Sequence, residues 1–165
     1  TMKKIMNILP LTLLLALTFA VVACNNDKDE PGADAEPTGK TIEQEADSLW
    51  EQVMDGHDVG MAKMTKLEKA QEAVQRAIDS IGKLPAAAKT AAASLKTKLD
   101  SLQKDLKYAS FAMDKWMEEF NADIKNKAAD VRIKYLNEEN LKVSKVKEAI
   151  LGSLGKADSL LKTKF

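Results

Sequence analysis

The chain has 165 residues, with 25 basic and 25 acidic side chains, one histidine and one cysteine. The balanced charge excludes the basic face that nucleic acid requires. A single cysteine excludes an internal disulfide or a thiolate metal cluster.

Met2-Lys3-Lys4 lead into an apolar run from Ile5 to Ala23. A basic start, an apolar middle from Leu9 to Val22 and a small residue at the end have the anatomy of a signal peptide. Asn7 and Pro10 interrupt the run, so its unbroken part is shorter than the roughly 20 residues of a spanning helix. It closes on Val21-Val22-Ala23-Cys24, which resembles the lipobox of bacterial lipoproteins. The resemblance implies removal of residues 1–23 and acylation of Cys24 as the new first residue. Several acyl chains would hold the protein to a membrane, at about 0.8 kcal/mol per buried methylene. Losing Lys3 and Lys4 leaves 23 basic residues against 25 acidic ones, which also argues against a polybasic membrane-binding surface.

Residues 24–40 read CNNDKDEPGADAEPTGK. They are acidic, rich in Pro and Gly, and lack the apolar bulk that would offset ordering entropy; a flexible tether is expected. Lys28-Asp29-Glu30 resembles the surface-export signal of Bacteroidetes lipoproteins. The expected address is therefore the outer membrane, lipid-anchored, with the remainder periplasmic or surface-exposed.

Beyond residue 40 only Pro85 remains, and no strand-like alternation persists. Thr41 and Gln44 fit a capping box. Ile42, Ala46, Leu49, Val53, His57, Met61, Met64, Leu67, Val74, Ile78 and Ile81 then recur at helical spacing, up to Gly82 and Pro85. This predicts a helix over 41–82, about 63 Å long. Gly56 and Gly60 weaken it by about 1 kcal/mol each relative to Ala, so a kink or break is expected near His57. Ala92, Leu95, Leu99, Leu102, Leu106, Ala109, Met113, Trp116 and Phe120 keep strict three-four spacing. They predict a coiled-coil-like helix over 86–121. The polar stretch from Asn121 to Asp130 predicts the next turn. Tyr135 or Leu136, Val143, Val146, Ile150, Leu154, Ala157 and Leu161 mark a third helix over 131–163. Short connections make neighbours antiparallel, and the fold expected for residues 41–165 is an all-α, up-down-up three-helix bundle.

Five methionines follow Cys24, and all fall in two short windows. Met54, His57, Met61 and Met64 lie within an arc of about 80° on one helix face. Met113 and Met117 are one turn apart, with Trp116 beside them. A hairpin turning at Leu84 brings residue 57 opposite 111 and residue 54 opposite 114, with Glu138 to Leu141 of the third helix closing over the layer. Thioether sulfur and imidazole nitrogen suit Cu(I) or Ag(I), and a Trp116 face can stabilise a cation. The competing reading is that methionine fills the core as an adaptable side chain.

Trp50-x-x-Val53-Met54-x-x-His57-Asp58-x-x-Met61-x-x-Met64 and Met113-x-x-Trp116-Met117-x-x-Phe120 resemble a family of small Bacteroidetes lipoproteins often labelled "viral A-type inclusion protein". The label implies no viral function. The resemblance runs from the lipobox through most of residues 45–160. It departs from the family pattern at Val59-Gly60 and at Ala62. It implies a lipid-anchored helical protein and brings no activity with it.

Catalysis is not expected. There is no glycine-rich phosphate loop, no Glu-x-x-His pair and no histidine near Ser94, Ser101 or Ser110. Glu118-Glu119 and Glu138-Glu139 read as solvated faces, as do Lys96, Lys98, Lys104 and Lys107 with Asp100 and Asp105. The expected function is that of a non-catalytic envelope lipoprotein with a helical binding or scaffold module. It would need no cofactor and would meet a helical partner or a second copy. The alternative is a copper- or silver-binding lipoprotein using Met54, His57, Met61, Met64, Met113 and Met117, with Trp116 in cation–π contact.

Overall fold

The structure, a computed structural model, describes residues 40–165. The expected signal peptide, Cys24 and all of the expected tether but Lys40 lie outside the described residues. Thr41 starts the first helix as its sequence predicts. Its hydroxyl accepts from the Gln44 N–H at 3.2 Å, and Gln44 Oε1 accepts from the Thr41 N–H at 2.9 Å, which completes the capping box. Four helices follow: α1 (Ile42–Met61), α2 (Met64–Gly82), α3 (Ala86–Glu119) and α4 (Ala129–Leu161). A short 3-10 turn, Ala122–Asn126, joins α3 to α4. No strand occurs among the described residues. None of their helices is long and apolar enough to cross a membrane.

The expected single helix over 41–82 is two helices. The break falls at Ala62–Lys63, not at His57. There the Lys63 N–H bonds Gly60 O at 2.9 Å, tightening one turn, before the Leu67 N–H resumes helical bonding to Lys63 O. α1 and α2 still act as one rod. Their buried residues are Ala46, Leu49, Val53, Gly56 and Gly60, then Leu67, Ala70, Val74 and Ile81. These positions keep one three-four phase through the break. His57 and Met61 are off that seam, contrary to the sequence reading, and Ile42, in phase with it at the helix start, is exposed. The seam runs instead through the two glycines.

The reason is close approach. A Cβ on Gly56 would lie 3.0 Å from Val143 Cγ1 of α4, and one on Gly60 would run into Met113 Cε of α3. The glycines weaken the helix locally, yet they let both neighbouring helices press against the α1 backbone.

α3 keeps its predicted seam from Leu99 to Trp116, all buried. Leu95 emerges from it, 44% exposed. Leu160, near the end of α4, lines the same groove as Lys98. Ala128 caps α4, whose buried stripe is Ala129, Arg132, Leu136, Glu139, Val143, Val146, Ile150, Ser153, Leu154 and Ala157.

α4 runs parallel to α1. Near its start the Arg132 guanidinium donates to Glu43 Oε2 at 3.1 Å and to Asp47 Oδ1. Further along, Asn140 Nδ2 donates to Gln52 Oε1 at 3.2 Å. The three rods therefore run up, down and up. α1 packs along α4, and α2 along α3. α1 and α3 touch little directly, and large side chains fill the space between α1 and the C-terminal end of α3.

Candidate functional site

The gap between α1 and the C-terminal part of α3 is filled by rings. Trp50 and His57 come from α1, Trp116 from α3, Phe120 from its C-terminal cap and Tyr135 from α4. The His57 and Trp116 centroids are 5.6 Å apart, Trp116 and Phe120 4.9 Å, Trp50 and Phe120 5.8 Å, and Phe120 and Tyr135 5.9 Å. The tilted geometries and spacings are those of favourable aromatic pairs. One ring stack thus spans three helices.

Two polar anchors hold the stack. The Trp116 indole N–H donates to Glu139 Oε2 at 2.9 Å, and Lys142 Nζ donates to Glu139 Oε1 at 2.7 Å. Glu139 is 4% exposed, so both carboxylate oxygens are matched where water is largely excluded. The Tyr135 hydroxyl accepts from the Asn121 N–H at 2.7 Å, tying the turn after α3 to α4. Burial pushes the Tyr135 phenol above its ordinary value, against the lowering effect of that bond. Hydrogen bonding to Glu139 raises the Lys142 ammonium in turn.

On the outer side of the stack is a recess of about 260 Å³, lined by Trp50, Met54, His57, Trp116, Met117, Phe120 and Ala122. The structure therefore brings together four of the residues expected at a site: Met54, His57, Met117 and Trp116. It separates the others. Met113 is fully buried, with its methyl group over Gly60; it is a core residue. Met64 opens α2, beyond the break. Met61 is 38% exposed and does not line the recess. The hairpin register also differs from expectation: His57 meets Trp116, where the turn geometry had placed residue 111. The third helix does close over this layer, through Glu139.

His57 Nδ1 lies 2.8 Å from Asp58 Oδ1. In the neutral ring that carboxylate holds the proton on Nδ1 and leaves the lone pair on Nε2. A cation is already parked on the stack's other end, where Lys125 Nζ sits 4.9 Å from the Trp50 ring centre.

Sequence reasoning missed Glu139, reading it as part of a solvated acidic pair. The signal was in the spacing. Arg132, Leu136, Glu139, Val143, Val146 and Ile150 keep one three-four phase, so both charged residues occupy seam positions. Phe120 and Tyr135 were placed on helix faces, without the role of bridging α1 to its neighbours.

A larger recess, about 680 Å³, lies between α3 and α4 against Lys98, Ser101, Leu102, Asp105, Gly152, Gly155 and Lys156. It is a gap where Gly152 and Gly155 carry no side chain and have nothing within 4 Å of a Cβ position. The Lys156–Asp105 pair, 2.7 Å, crosses it. No imidazole, thioether or aromatic ring lines it. The smaller recess carries the more distinctive chemistry. No protein-family model, curated protein or solved structure matches this chain.

Proposed function

We propose that the chain is a non-catalytic lipoprotein of the bacterial envelope, anchored through Cys24, whose helical bundle binds a ligand at the recess between α1 and α3. The address rests on the lipobox-like Val21-Val22-Ala23-Cys24, the tether behind it, and the resemblance to small Bacteroidetes lipoproteins. The binding role rests on one observation above all. Rings and thioethers from α1 and α3 face a shared recess, while the packing beneath them is closed by Met113 against Gly60. A few polar groups at an apolar recess are the usual composition of a small-ligand site.

Two measurements address the anchoring half. Cells expressing the chain are labelled with a radioactive fatty acid and then fractionated. The expected result is label on the wild type, which sediments with outer membrane, and no label on Cys24→Ala. Equal sedimentation of an unlabelled wild-type chain would refute lipid anchoring. Protease treatment of intact cells then distinguishes surface display, in which the bundle is degraded, from a periplasmic position, in which it survives.

A further inference from the structure

We propose that the recess is a soft monovalent cation site, in which Met54 Sδ, Met117 Sδ and His57 Nε2 take Cu(I) or Ag(I) against the face of Trp116. This rests on the recess being the binding site of the module, and it assigns the ligand class.

The structure sorts the methionines by what surrounds them. A methionine that fills a core gap is represented by Met113: fully buried, with its methyl group against backbone. Met54 and Met117 differ. Met54 is half-buried and Met117 is 37% exposed, and both border the recess with the chain's single histidine. An exposed thioether contributes little packing, so the core-filler explanation that serves Met113 does not account for Met117.

The donor set selects the ion. Thioether and imidazole are soft or borderline ligands that suit Cu(I) and Ag(I). No side-chain carboxylate lines the recess, so a hard cation such as Ca(II) or Mg(II) finds none of the oxygen ligands it requires from side chains there. Apolar walls also favour a single positive charge over a double one, because the desolvation cost rises steeply with charge.

The surroundings supply two further features of a metal site. A metal-bound imidazole generally donates its other N–H to a carboxylate, which fixes the ring and raises its basicity; Asp58 holds that place, 2.8 Å from Nδ1. The Trp116 ring lies 5.6 Å from the imidazole, centre to centre, so the ring that would hold the ion has an aromatic neighbour able to attract a cation. Glu139 accepts from the Trp116 N–H, which makes the indole more electron-rich. Lys125 sits on Trp50 at the other end.

The test is a chloride-free titration of the full chain with silver nitrate in a nonionic detergent. Binding is read by tryptophan fluorescence and by calorimetry, and Cys24→Ser serves as the parent so that no thiol contributes. One equivalent should bind with sub-micromolar affinity. His57→Gln should weaken binding at least about tenfold, and so should Met54→Leu combined with Met117→Leu. Met61→Leu should leave it unchanged. Met→Leu nearly conserves volume, so circular dichroism should show folded variants; His57→Gln, at a partly exposed position, serves if the double variant does not fold. A titration in which Ca(II) or Mg(II) competes equally, in which the parent binds no tighter than micromolar, or in which the variants match the parent would overturn the proposal. Any of these outcomes leaves the Cys24-dependent fractionation intact. A loss of fractionation with tight silver binding would instead refute the anchoring reading alone.

Discussion

Substituting Trp116 by Phe offers a quantitative check on the site's architecture. The indole N–H is the donor 2.9 Å from Glu139 Oε2, and removing it leaves that carboxylate only Lys142 as a partner. An orphaned buried acceptor costs about 1–3 kcal/mol, and more when charged. The smaller ring also leaves a void of a few tens of Å³ beside a side chain that is 5% exposed, adding roughly 1 kcal/mol at about 24 cal/mol per Å³. The expected cost of Trp116→Phe is therefore about 3 kcal/mol. Glu139→Leu orphans the indole N–H in turn and should cost about 2 kcal/mol. The double variant has neither orphan, so its cost should fall short of the sum of the two by about 1.5–3 kcal/mol. Urea unfolding of the helical unit, Thr38–Phe165, followed by far-UV circular dichroism, measures all three. Additive costs, with coupling below about 0.5 kcal/mol, would refute the claim that this bond anchors the ring stack.

Other substitutions probe the packing and the charges. Gly56→Ala places a methyl group 3.0 Å from Val143 Cγ1; overpacking of about 1–3 kcal/mol should exceed the helix-propensity gain of about 1 kcal/mol, so thermal unfolding should move down. Gly152→Ala meets nothing within 4 Å and should raise stability by about 0.5–1 kcal/mol, seen as a small rise in the same measurement. Arg132 is 6% exposed, while Glu43 and Asp47 are largely exposed. Neutralising both acids (Glu43→Gln with Asp47→Asn) leaves a buried cation and should cost about 3 kcal/mol, whereas Arg132→Met removes the charge itself and should cost under about 1.5 kcal/mol; the reverse order in urea unfolding would contradict the assignment. Tyr135 and Lys142 both titrate above their ordinary values of 10.0 and 10.5. Their contribution is full below those values and is lost as pH rises through the raised ones, so the urea midpoint should fall as pH rises beyond about 10, and fall less in Tyr135→Phe.

The helical class was legible because three-four spacing survives even with few aromatics. The capping box at Thr41 and Gln44, the seam from Leu99 to Trp116 and the turn after Asn121 all appear where the sequence put them. The first rod was misread for a physical reason. Apolar counting passes over glycine, so the stripe was drawn through His57 and Met61, whereas the close contact runs through Gly56 and Gly60. That shift rotates His57 out of the core and to the edge of the recess. The same bias toward apolar residues hid Glu139 and Arg132, which occupy seam positions because each finds partners there. The site was half legible. Spacing along one helix placed Met54 and His57 on a common face, but only tertiary packing separates Met113, sealed under Gly60, from Met117 one turn later.

Methionine methyl groups give the most direct reading of the central claim, because every thioether reports its own surroundings. Methyl-¹³C methionine spectra of the Cys24→Ser chain, recorded with and without one equivalent of Ag(I), should show Met54 and Met117 shifting while Met2, Met6, Met61, Met64 and Met113 hold still. Equal shifts at exposed Met61, or no shift at Met54 and Met117, would contradict a binding site between α1 and α3.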